Sequence, residues 1–405
     1  MKKNFNLLTT AEEIAELASK LSEKSVIAFD TEFIRENTFY PIVEIIQVAT
    51  DEESWLVDAA AFKKGFRAGP QGGFNPAIKP LLDVFENRNI LKIVHAAQGD
   101  QECLYTSYGV VASPCFDTSV GASLCGLGEA IGLGKLLKSV LDVTISKGHA
   151  RTNWSVRPLP TQLLEYAHSD VEYLVELGGK LLQQVDQMGR KDWAMQLSSK
   201  WEKKDLYEVD IEGMAQRLAR GGRLDRRGYA ALLELVKWRE ERVRQLNLPR
   251  RWVADDAVLM DLAHVRPKDI EHLSSFRGLN KGELKNSGET ILNALRRAET
   301  AEVAAPTRER VEPPSGEESQ VLDLIKCYVG ILADRHRIAA KHLMTTAQLL
   351  PLLRNPITGP EDLVRFSILT DEAARLIGSE LIEFIHGKRA LFIQKSRIRE
   401  MKTEV

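Results

Sequence analysis

The sequence predicts an α/β domain over the first half of the chain, followed by an all-α region. In the first half, short apolar or β-branched runs alternate with segments of helical periodicity, which is typical of a sheet-based domain. From about Leu206 onward, apolar residues recur only at helical spacing, so no further strands are expected. A length of 405 residues is enough for two or three domains.

The α/β half begins with three strands in quick succession, expected at 25–29, 43–50 and 54–58. Their short connections predict antiparallel neighbours. The elements expected after them are a helix at 77–86, a strand at 90–95, a helix at 99–108, a short strand near Val110 and helices from Thr118 onward. The glycine-rich segment 63–76, which ends in proline, is expected to be irregular.

The all-α region divides into two blocks of similar length, expected at 211–299 and 318–398. Residues 300–317 contain prolines and charges but no amphipathic stripe, so they are interpreted as a linker. The similar lengths suggest a duplicated small helical domain, although no clear residue-level repeat is visible.

Charge is distributed unevenly along a chain whose net charge is only −2. The net charge is −7 over residues 1–210, +5 over 211–300 and 0 over 301–405. An acidic segment beside a basic one fits a carboxylate metal site partnered by a phosphate-binding module, with surface scatter as the alternative. No apolar run is long enough for a membrane span, and the four cysteines lack metal-binding spacing, so a cytoplasmic protein with free thiols is expected.

Two acids end the first expected strand. Asp30 and Glu32 are two residues apart, and the two-residue period of a strand places both carboxylates on one face. Adjacent like charges are costly unless protons or cations are present, so the pair favours a divalent-metal site. A solvated strand end without any metal is the alternative that this pair alone leaves open.

Three further polar residues lie in expected helices. Asp100 is expected near a helix N-terminus, where capping and the helix dipole would also favour a carboxylate. Tyr166 and Asp170 are four residues apart in a helix expected to begin near Pro160, so a phenol and a carboxylate project from one face. Each feature alone has a structural explanation, and only their combined order and spacing is specific.

In combination these motifs resemble the DEDDy exonuclease family, and its ribonuclease D branch in particular. The segments that carry the resemblance are Asp30-Thr-Glu-Phe-Ile-Arg35, His95-Ala-Ala-Gln-Gly-Asp100, Arg151-Thr-Asn-Trp154 and Tyr166-Ala-His-Ser-Asp170. Downstream, Leu248-Pro-Arg-Arg-Trp-Val253 resembles the helicase-and-ribonuclease-D C-terminal (HRDC) domain, and Ile338-Ala-Ala-Lys-His-Leu343 resembles it more weakly. Glu44 departs from the family pattern, because an apolar or small residue would be more usual at its position.

The resemblance implies a ribonuclease-H-like mixed-sheet exonuclease domain over residues 1–205, followed by two small HRDC-type helical domains. It implies a 3′–5′ exoribonuclease that releases 5′-mononucleotides and matures transfer RNA and other stable RNA precursors. Separately, we expect the protein to be a monomer. Two Mg²⁺ or Mn²⁺ ions would be bound, with Asp30 bridging both ions, Glu32 and Asp170 completing one site and Asp100 holding the second ion through water. Tyr166 would orient the attacking water.

Other polar and aromatic residues in the motifs are candidates to contact terminal bases or phosphates. They are Phe33, Arg35, Tyr40, Gln47, His95, Gln98, Arg151 and Trp154. Core packing is the alternative for the aromatic ones. An arginine cluster in the first helical block could follow an RNA backbone or form a solvated helix face, and its members are Arg217, Arg220, Arg223, Arg226 and Arg227.

Two other patterns are set aside. The run Gly126-Leu-Gly-Glu-Ala-Ile-Gly132 mimics a dinucleotide-binding loop, but it follows a helical stretch and is interpreted as a connection between helices. The eight histidines are scattered, which argues against zinc. Two alternative functions remain: a 3′–5′ exonuclease of the same chemistry acting on DNA, and a non-catalytic scaffold that binds nucleic acid.

Overall fold

The structure is a computed structural model in which a sheet-based domain is followed by two helical blocks. It describes residues 7–145, 152–220, 224–276, 278–279, 281–302 and 312–403. Among the described helices, none has an apolar stretch long enough to cross a membrane.

The first domain is built on a six-stranded mixed sheet. Its strands are β1 (Leu7–Leu8), β2 (Val26–Ile34), β3 (Ile42–Ala49), β4 (Ser54–Asp58), β5 (Leu91–Val94) and β6 (Cys115–Asp117). Their order across the sheet is β1-β4-β3-β2-β5-β6. The three early strands form an antiparallel set as predicted, since β2 pairs with β3 and β3 with β4, and the other three pairings are parallel.

The short strand predicted near Val110 is misplaced. Val110, Val111 and Ala112 are buried, but they lie in a loop, and the strand begins at Cys115. The first hydrogen bond along this edge is donated by the Lys92 amide to the carbonyl oxygen of Pro114, at 2.9 Å. The apolar character of this run therefore reflects burial of these residues in the core and not membership of a strand.

Eight α-helices surround this sheet. They are α1 (Ala11–Ser22), α2 (Lys79–Glu86), α3 (Gln98–Tyr108), α4 (Thr118–Leu124), α5 (Leu133–Leu141), α6 (Thr161–Val171), α7 (Leu174–Gln187) and α8 (Lys191–Ser199). Short 3₁₀ turns occupy Ala59–Phe62, Pro76–Ile78, Lys200–Glu202 and Lys204–Tyr207. Helices α1, α2 and α3 share one apolar core with the sheet, whereas α6 and α7 pack on the opposite face.

Apart from α9, which has no counterpart, the described helices of the two helical blocks follow the same order. The first contains α9 (Ile211–Ala219), α10 (Arg226–Leu246), α11 (Arg250–Val253), α12 (Asp256–Val265), α13 (Ile270–Ser274) and α14 (Lys281–Thr300). The second contains α15 (Gly316–His336), α16 (Ala340–Leu343), α17 (Thr346–Arg354), α18 (Pro360–Arg365) and α19 (Asp371–Ile385). From α10 and α15 onward, each helix of the second block begins 90 residues after its counterpart, which supports the predicted duplication.

The prediction that no strand follows Leu206 is wrong. Helix α19 ends at Ile385, and an antiparallel hairpin follows, formed by β7 (Arg389–Gln394) and β8 (Arg397–Lys402). Lys395 and Ser396 connect the strands with φ values of 47° and 59°, as in a two-residue hairpin turn. Without an Asn-Gly or Asp-Gly signal at the turn, the alternation along these short strands did not stand out from helical periodicity.

The second helical block docks on the sheet domain through the end of α15. The buried Arg190 donates to the carbonyl oxygens of Leu124, His336 and Arg337 at 2.6, 2.6 and 3.0 Å. Gly126 has a φ of 73°, and a Cβ atom at its position would lie 2.8 Å from the Arg337 backbone. The glycine-rich run that mimics a dinucleotide loop thus connects α4 and α5, as predicted, and its first glycine permits this close approach.

The first helical block docks through the equivalent corner, the end of α10. Asn247 adopts a left-handed conformation there, and its side-chain oxygen accepts hydrogen bonds from the amides of Phe39 and Tyr40 at 3.1 and 3.0 Å. The Arg250 guanidinium lies 4.9 Å from the Phe39 ring centroid and is held by Glu240 at 2.7 and 2.8 Å. The loop between β2 and β3 is therefore anchored by the helical block.

Replacing Asn247 tests this anchor without straining the backbone. Asn247→Gly tolerates the left-handed conformation but removes the acceptor, so the amides of Phe39 and Tyr40 are expected to exchange hydrogen about five-fold faster, as for the loss of one hydrogen bond. Asn247→Asp keeps an acceptor and should stay near the wild-type rate. Hydrogen–deuterium exchange of peptides covering residues 35–42 measures both, and equal rates in the two variants would contradict the anchor.

Candidate active site

Three carboxylates from two elements meet on one face of the sheet. Asp30 and Glu32 lie on β2, and Asp170 lies on α6, which packs across β2, β3 and β4. One carboxylate oxygen of each lies within 4.8 Å of those of the other two, and all three residues are partly buried. The predicted meeting of these three acids is therefore observed.

The fourth acid, Asp100, approaches from the first turn of α3 and is held by β2. Its Oδ1 accepts hydrogen bonds from the backbone amide of Thr31 at 3.0 Å and from the Thr31 hydroxyl at 2.6 Å. Asp100 is buried and does not belong to the group of three, but among neighbouring charges it has the largest effect on the pKa of Asp30. Thr31 thus fixes Asp100 beside the cluster.

Burial and mutual repulsion oppose ionisation of all four acids. Burial, followed by the charges of Asp100, Asp170 and Glu32, raises the pKa of Asp30 well above its ordinary value. Burial with the charges of Asp170 and Asp100 raises the pKa of Glu32 to about 9. Burial likewise raises the pKa of Asp100 and of Asp170 to about 7, although hydrogen bonds from Thr31 and Tyr166, respectively, act in the opposite direction. Positive charge at this place would relieve the repulsion.

Tyr166 lies one helical turn before Asp170, and its hydroxyl donates to the Asp170 carboxylate. Burial, with the charges of Asp170, Glu32 and Asp30, raises the pKa of Tyr166, so the phenol stays protonated. Behind it lies Trp154, 1% exposed, with ring centroids 6.2 Å apart. The expectation that Trp154 contacts RNA is not supported, because its ring is in the core behind Tyr166.

The segment that carries Trp154 is fixed to the sheet by ion pairs. Arg157 donates to Asp58 at 2.6 and 2.9 Å and to Glu44 at 3.4 Å, and Lys63 contacts Glu44 at 2.6 Å. Glu44 is fully buried, so its charge requires these partners. Glu44, which departs from the family pattern, is thus paired with two basic side chains, Arg157 and Lys63.

Gln47 also differs from its expected role as a substrate contact. It lies opposite Asp30 in the β2–β3 pairing and is fully buried, which leaves it closed to RNA. Neither polar atom of its amide has a hydrogen-bond partner within the described part of the chain. Gln47 therefore lies beside Asp30 on the same face of the sheet, where α6 packs against β3.

One acid with a positioning role was missed by sequence reasoning. Asp117, at the end of β6, accepts hydrogen bonds from the amides of Ala96 and Ala97 at 2.9 and 3.0 Å. These residues lead into α3, and Ala96 has a φ of 60°. The available signal is a carboxylate between a strand and a helix, where Asp117 also caps α4 by accepting a hydrogen bond from the Ser119 amide at 2.8 Å.

Two of the remaining substrate candidates, Phe33 and His95, are partly buried. Phe33 packs partly against the core beside Gly99. His95 contacts the Thr118 hydroxyl at 2.9 Å, and burial lowers its pKa. Arg151 lies outside the described residues.

Arg35, Tyr40 and Gln98 line a cleft of about 720 Å³ between the sheet domain and the first helical block. Arg35 forms a two-bond ion pair with Glu102 at 2.7 and 2.8 Å. Opposite them the cleft is lined by Arg217, Arg244 and Arg250. Of the predicted arginine cluster, Arg217 thus faces the cleft, Arg220, Arg226 and Arg227 are exposed, and Arg223 lies outside the described residues.

A second cavity, of about 620 Å³, opens directly at Tyr166 and Asp170. Its other wall is formed by the glycine-rich connection, including Leu127 and Ile131, and by Lys135 in the first turn of α5. A mainly apolar wall next to acids and a phenol can accept the base or sugar of a terminal nucleotide.

Comparison with known proteins agrees with this geometry. The family model described as 3′–5′ exonuclease matches residues 5–186, and the HRDC domain model matches residues 230–295. These two matches, together with the sheet topology and the acids clustered on one face, define a 3′–5′ exonuclease domain followed by an HRDC domain.

Relatives that match along the whole chain narrow this class. Ribonuclease D of Nitrobacter hamburgensis is 30% identical over 97% of this chain and 98% of its own, and that of Sphingobium indicum is 31% identical over 98% and 99%. The crystal structure of Escherichia coli ribonuclease D superposes with a TM-score of 0.73 at 26% identity, covering 93% of this chain and 99% of its own. The chain belongs to the ribonuclease D family of 3′–5′ exoribonucleases, which use divalent metals.

The raised pKa values predict how the metal-free protein responds to pH. The unfolded acids titrate at ordinary values of 3.8–4.5, whereas the folded ones titrate at about 7 for Asp100 and Asp170 and about 9 for Glu32. Between these values the folded chain binds more protons, so its free energy of unfolding falls as pH rises from about 4 to about 9. In a chelator, the wild-type melting temperature should drop more steeply over this window than that of Asp170→Asn.

Adding Mn²⁺ at pH 8.5 should recover the loss in the wild type, because deprotonated carboxylates bind cations more tightly. Melting curves that fall equally with pH in both proteins, and that Mn²⁺ leaves unchanged, would contradict this account of the site.

Proposed function

We propose that this exoribonuclease releases 5′-mononucleotides from RNA 3′ ends by hydrolysis that requires two divalent cations, Mg²⁺ or Mn²⁺. One observation carries the proposal: three carboxylates lie within 4.8 Å of one another beside a protonated tyrosine. Such a set is unfavourable for an empty pocket but well suited to cations that prefer oxygen ligands.

The residues that would hold the cations are Asp30, Glu32 and Asp170, with Asp100 assisting from α3. When bound, the pair would activate water, neutralise charge on the phosphate and stabilise the leaving 3′ oxygen. Thr31 keeps Asp100 in place through two hydrogen bonds, so the fourth acid is positioned before any cation arrives. Preorganised oxygen ligands of this kind reduce the reorganisation that binding requires.

Tyr166 would orient the attacking water. Its hydroxyl is anchored on Asp170, and its ring packs on the buried Trp154, so the phenol has little freedom to move away. A protonated hydroxyl beside a carboxylate can hold a water molecule in line with a phosphorus atom without taking its proton.

RNA with structured regions is the proposed substrate, with transfer RNA and other stable RNA precursors as the natural class. Escherichia coli ribonuclease D is an exoribonuclease involved in structured RNA processing, and it matches nearly the whole chain. The cleft between the sheet domain and the first helical block is lined by Arg35, Arg217 and Arg244, and arginines of this kind can contact the phosphates of an RNA backbone.

We also propose the arrangement in which the enzyme works. The exonuclease domain would span residues 1–205, the first HRDC-type domain 211–299, and a second one 318–398 after a linker at 300–317. The shared order of helices, offset by 90 residues, supports the second domain. A cytoplasmic location fits the four cysteines, which are all free thiols, and we propose a monomer.

Asp30→Asn tests the proposed chemistry. Asparagine has the shape of aspartate but lacks its charge, so kcat with Mn²⁺ should fall by about 10⁴-fold, as for the loss of several kcal/mol of metal stabilisation. Folding and RNA affinity in chelator should be retained. Nucleotide release from a labelled oligoribonucleotide measures turnover, and metal-dependent release at the wild-type rate would rule the proposal out.

Tyr166→Phe separates water orientation from metal binding in the same assay. Removing only the hydroxyl should lower kcat by about 10²-fold while the concentration of Mn²⁺ needed for half-maximal rate stays unchanged. Unchanged kinetics would make Tyr166 a structural residue.

A further inference from the structure

The hairpin of β7 and β8 is an addition to the repeated helical unit. The first block has no such element among its described residues, because α14 ends at Thr300 and the chain there continues towards α15. The helical fold of a block therefore does not require a hairpin. An isolated two-stranded hairpin is only marginally stable in water, so this hairpin needs contacts with the rest of the chain to stay folded.

That support comes from a set of buried and half-buried polar contacts at the base of the hairpin. Glu400 accepts hydrogen bonds from the Tyr328 hydroxyl at 2.7 Å and from Arg389 at 2.6 Å, and it also contacts Arg335. Arg389 in turn contacts Glu383 at 2.6 Å. These contacts fix the orientation of the hairpin relative to the second block.

The pairing register divides the hairpin side chains into two faces. Directly opposite residues share a face. Arg389, Leu391 and Glu400 lie on the face that contacts the helical block, whereas Ile393 and Ile398 lie on the same face near the turn, where they are 80% and 47% exposed. The other face points to solvent and carries Phe392 opposite Arg399, with Arg397 and Met401 at either end. Phe392 is 40% exposed and Met401 is 51% exposed, although apolar side chains of this size are usually buried.

This solvent face combines an aromatic ring with positive charge. Residues 388–403 contain six basic residues and one acid, and that acid, Glu400, is already paired at the base. Nucleic-acid bases stack on exposed aromatic rings, and neighbouring arginines contact the phosphates between them. Phe392 and Arg399 lie directly opposite each other in the pairing, so the ring and the guanidinium can act together.

We propose that the solvent face of this hairpin binds single-stranded RNA, with Phe392 stacking on a base and Arg397 and Arg399 contacting phosphates. The site is separate from the acids and would hold the substrate away from the 3′ end that is cut. It rests on RNA being the substrate of the enzyme. A second copy of the chain is disfavoured as the occupant, because two hairpins with this charge would repel each other.

Binding of a fluorescent single-stranded oligouridylate to the full chain in chelator tests this site without turnover. Phe392→Ala should weaken affinity about 5- to 100-fold, the usual range for one base stacked on an aromatic ring. Ile393→Ala is the matched control, because Ile393 is 80% exposed but lies on the opposite face, and its affinity should match the wild type.

The salt dependence of the same binding affinity tests the arginines separately. Arg399→Gln should reduce the slope of log affinity against log salt concentration by about 0.7, the value for one phosphate contact on a single strand. Arg375→Gln, at an exposed position on α19, should leave the slope unchanged. Melting temperatures of all four variants identify any that fail to fold.

Wild-type affinity and slope in both Phe392→Ala and Arg399→Gln would overturn the proposal. So would a wild-type dimer that Phe392→Ala converts to a monomer without a change in RNA affinity, since the face would then join two copies of the chain. Because binding is measured without divalent cations, a chain that bound RNA through the hairpin but released no nucleotides with Mn²⁺ would refute the proposed chemistry alone.

Discussion

Repulsion between carboxylates that are held close together is the constraint on which this structure depends. Asp30, Glu32 and Asp170 would separate in a flexible chain, and the fold prevents it. Strand pairing fixes the first two. The third is fixed because α6 and the segment before it pack on the sheet through Leu163 of the helix and through Trp154 and Leu159 of that segment. Repulsion within this arrangement would favour the binding of cations, at a local cost in stability.

The helical blocks hold segments that surround the acids. Both dock on the sheet domain through the same corner, a left-handed residue at the end of their longest helix: Asn247 in the first block and Arg337 in the second. The first block anchors the loop between β2 and β3, and the second approaches the glycine-rich wall beside Tyr166 and Asp170. The two helical blocks thus contact different segments of the sheet domain: the loop between β2 and β3, and the glycine-rich connection.

Sequence reasoning found the elements whose signals are local. The antiparallel strands and the period-two placement of Asp30 and Glu32 follow from the chain itself. It failed where burial alone produces an apolar pattern, as at Val110, and where strands are short and the turn residues uninformative, as at Lys395 and Ser396. For Gln47 and Trp154, exposure depends on how α6 and its preceding segment cover the sheet, which no local pattern encodes.

The position of the cations tests the central claim most directly. Crystals grown with Mn²⁺ and measured at the manganese absorption edge should contain two anomalous peaks, each in contact with carboxylate oxygens from the set of Asp30, Glu32, Asp100 and Asp170. In Asp30→Asn at least one peak should be lost. Manganese bound elsewhere on the chain, with no peak among these four acids at saturating concentration, would contradict the account.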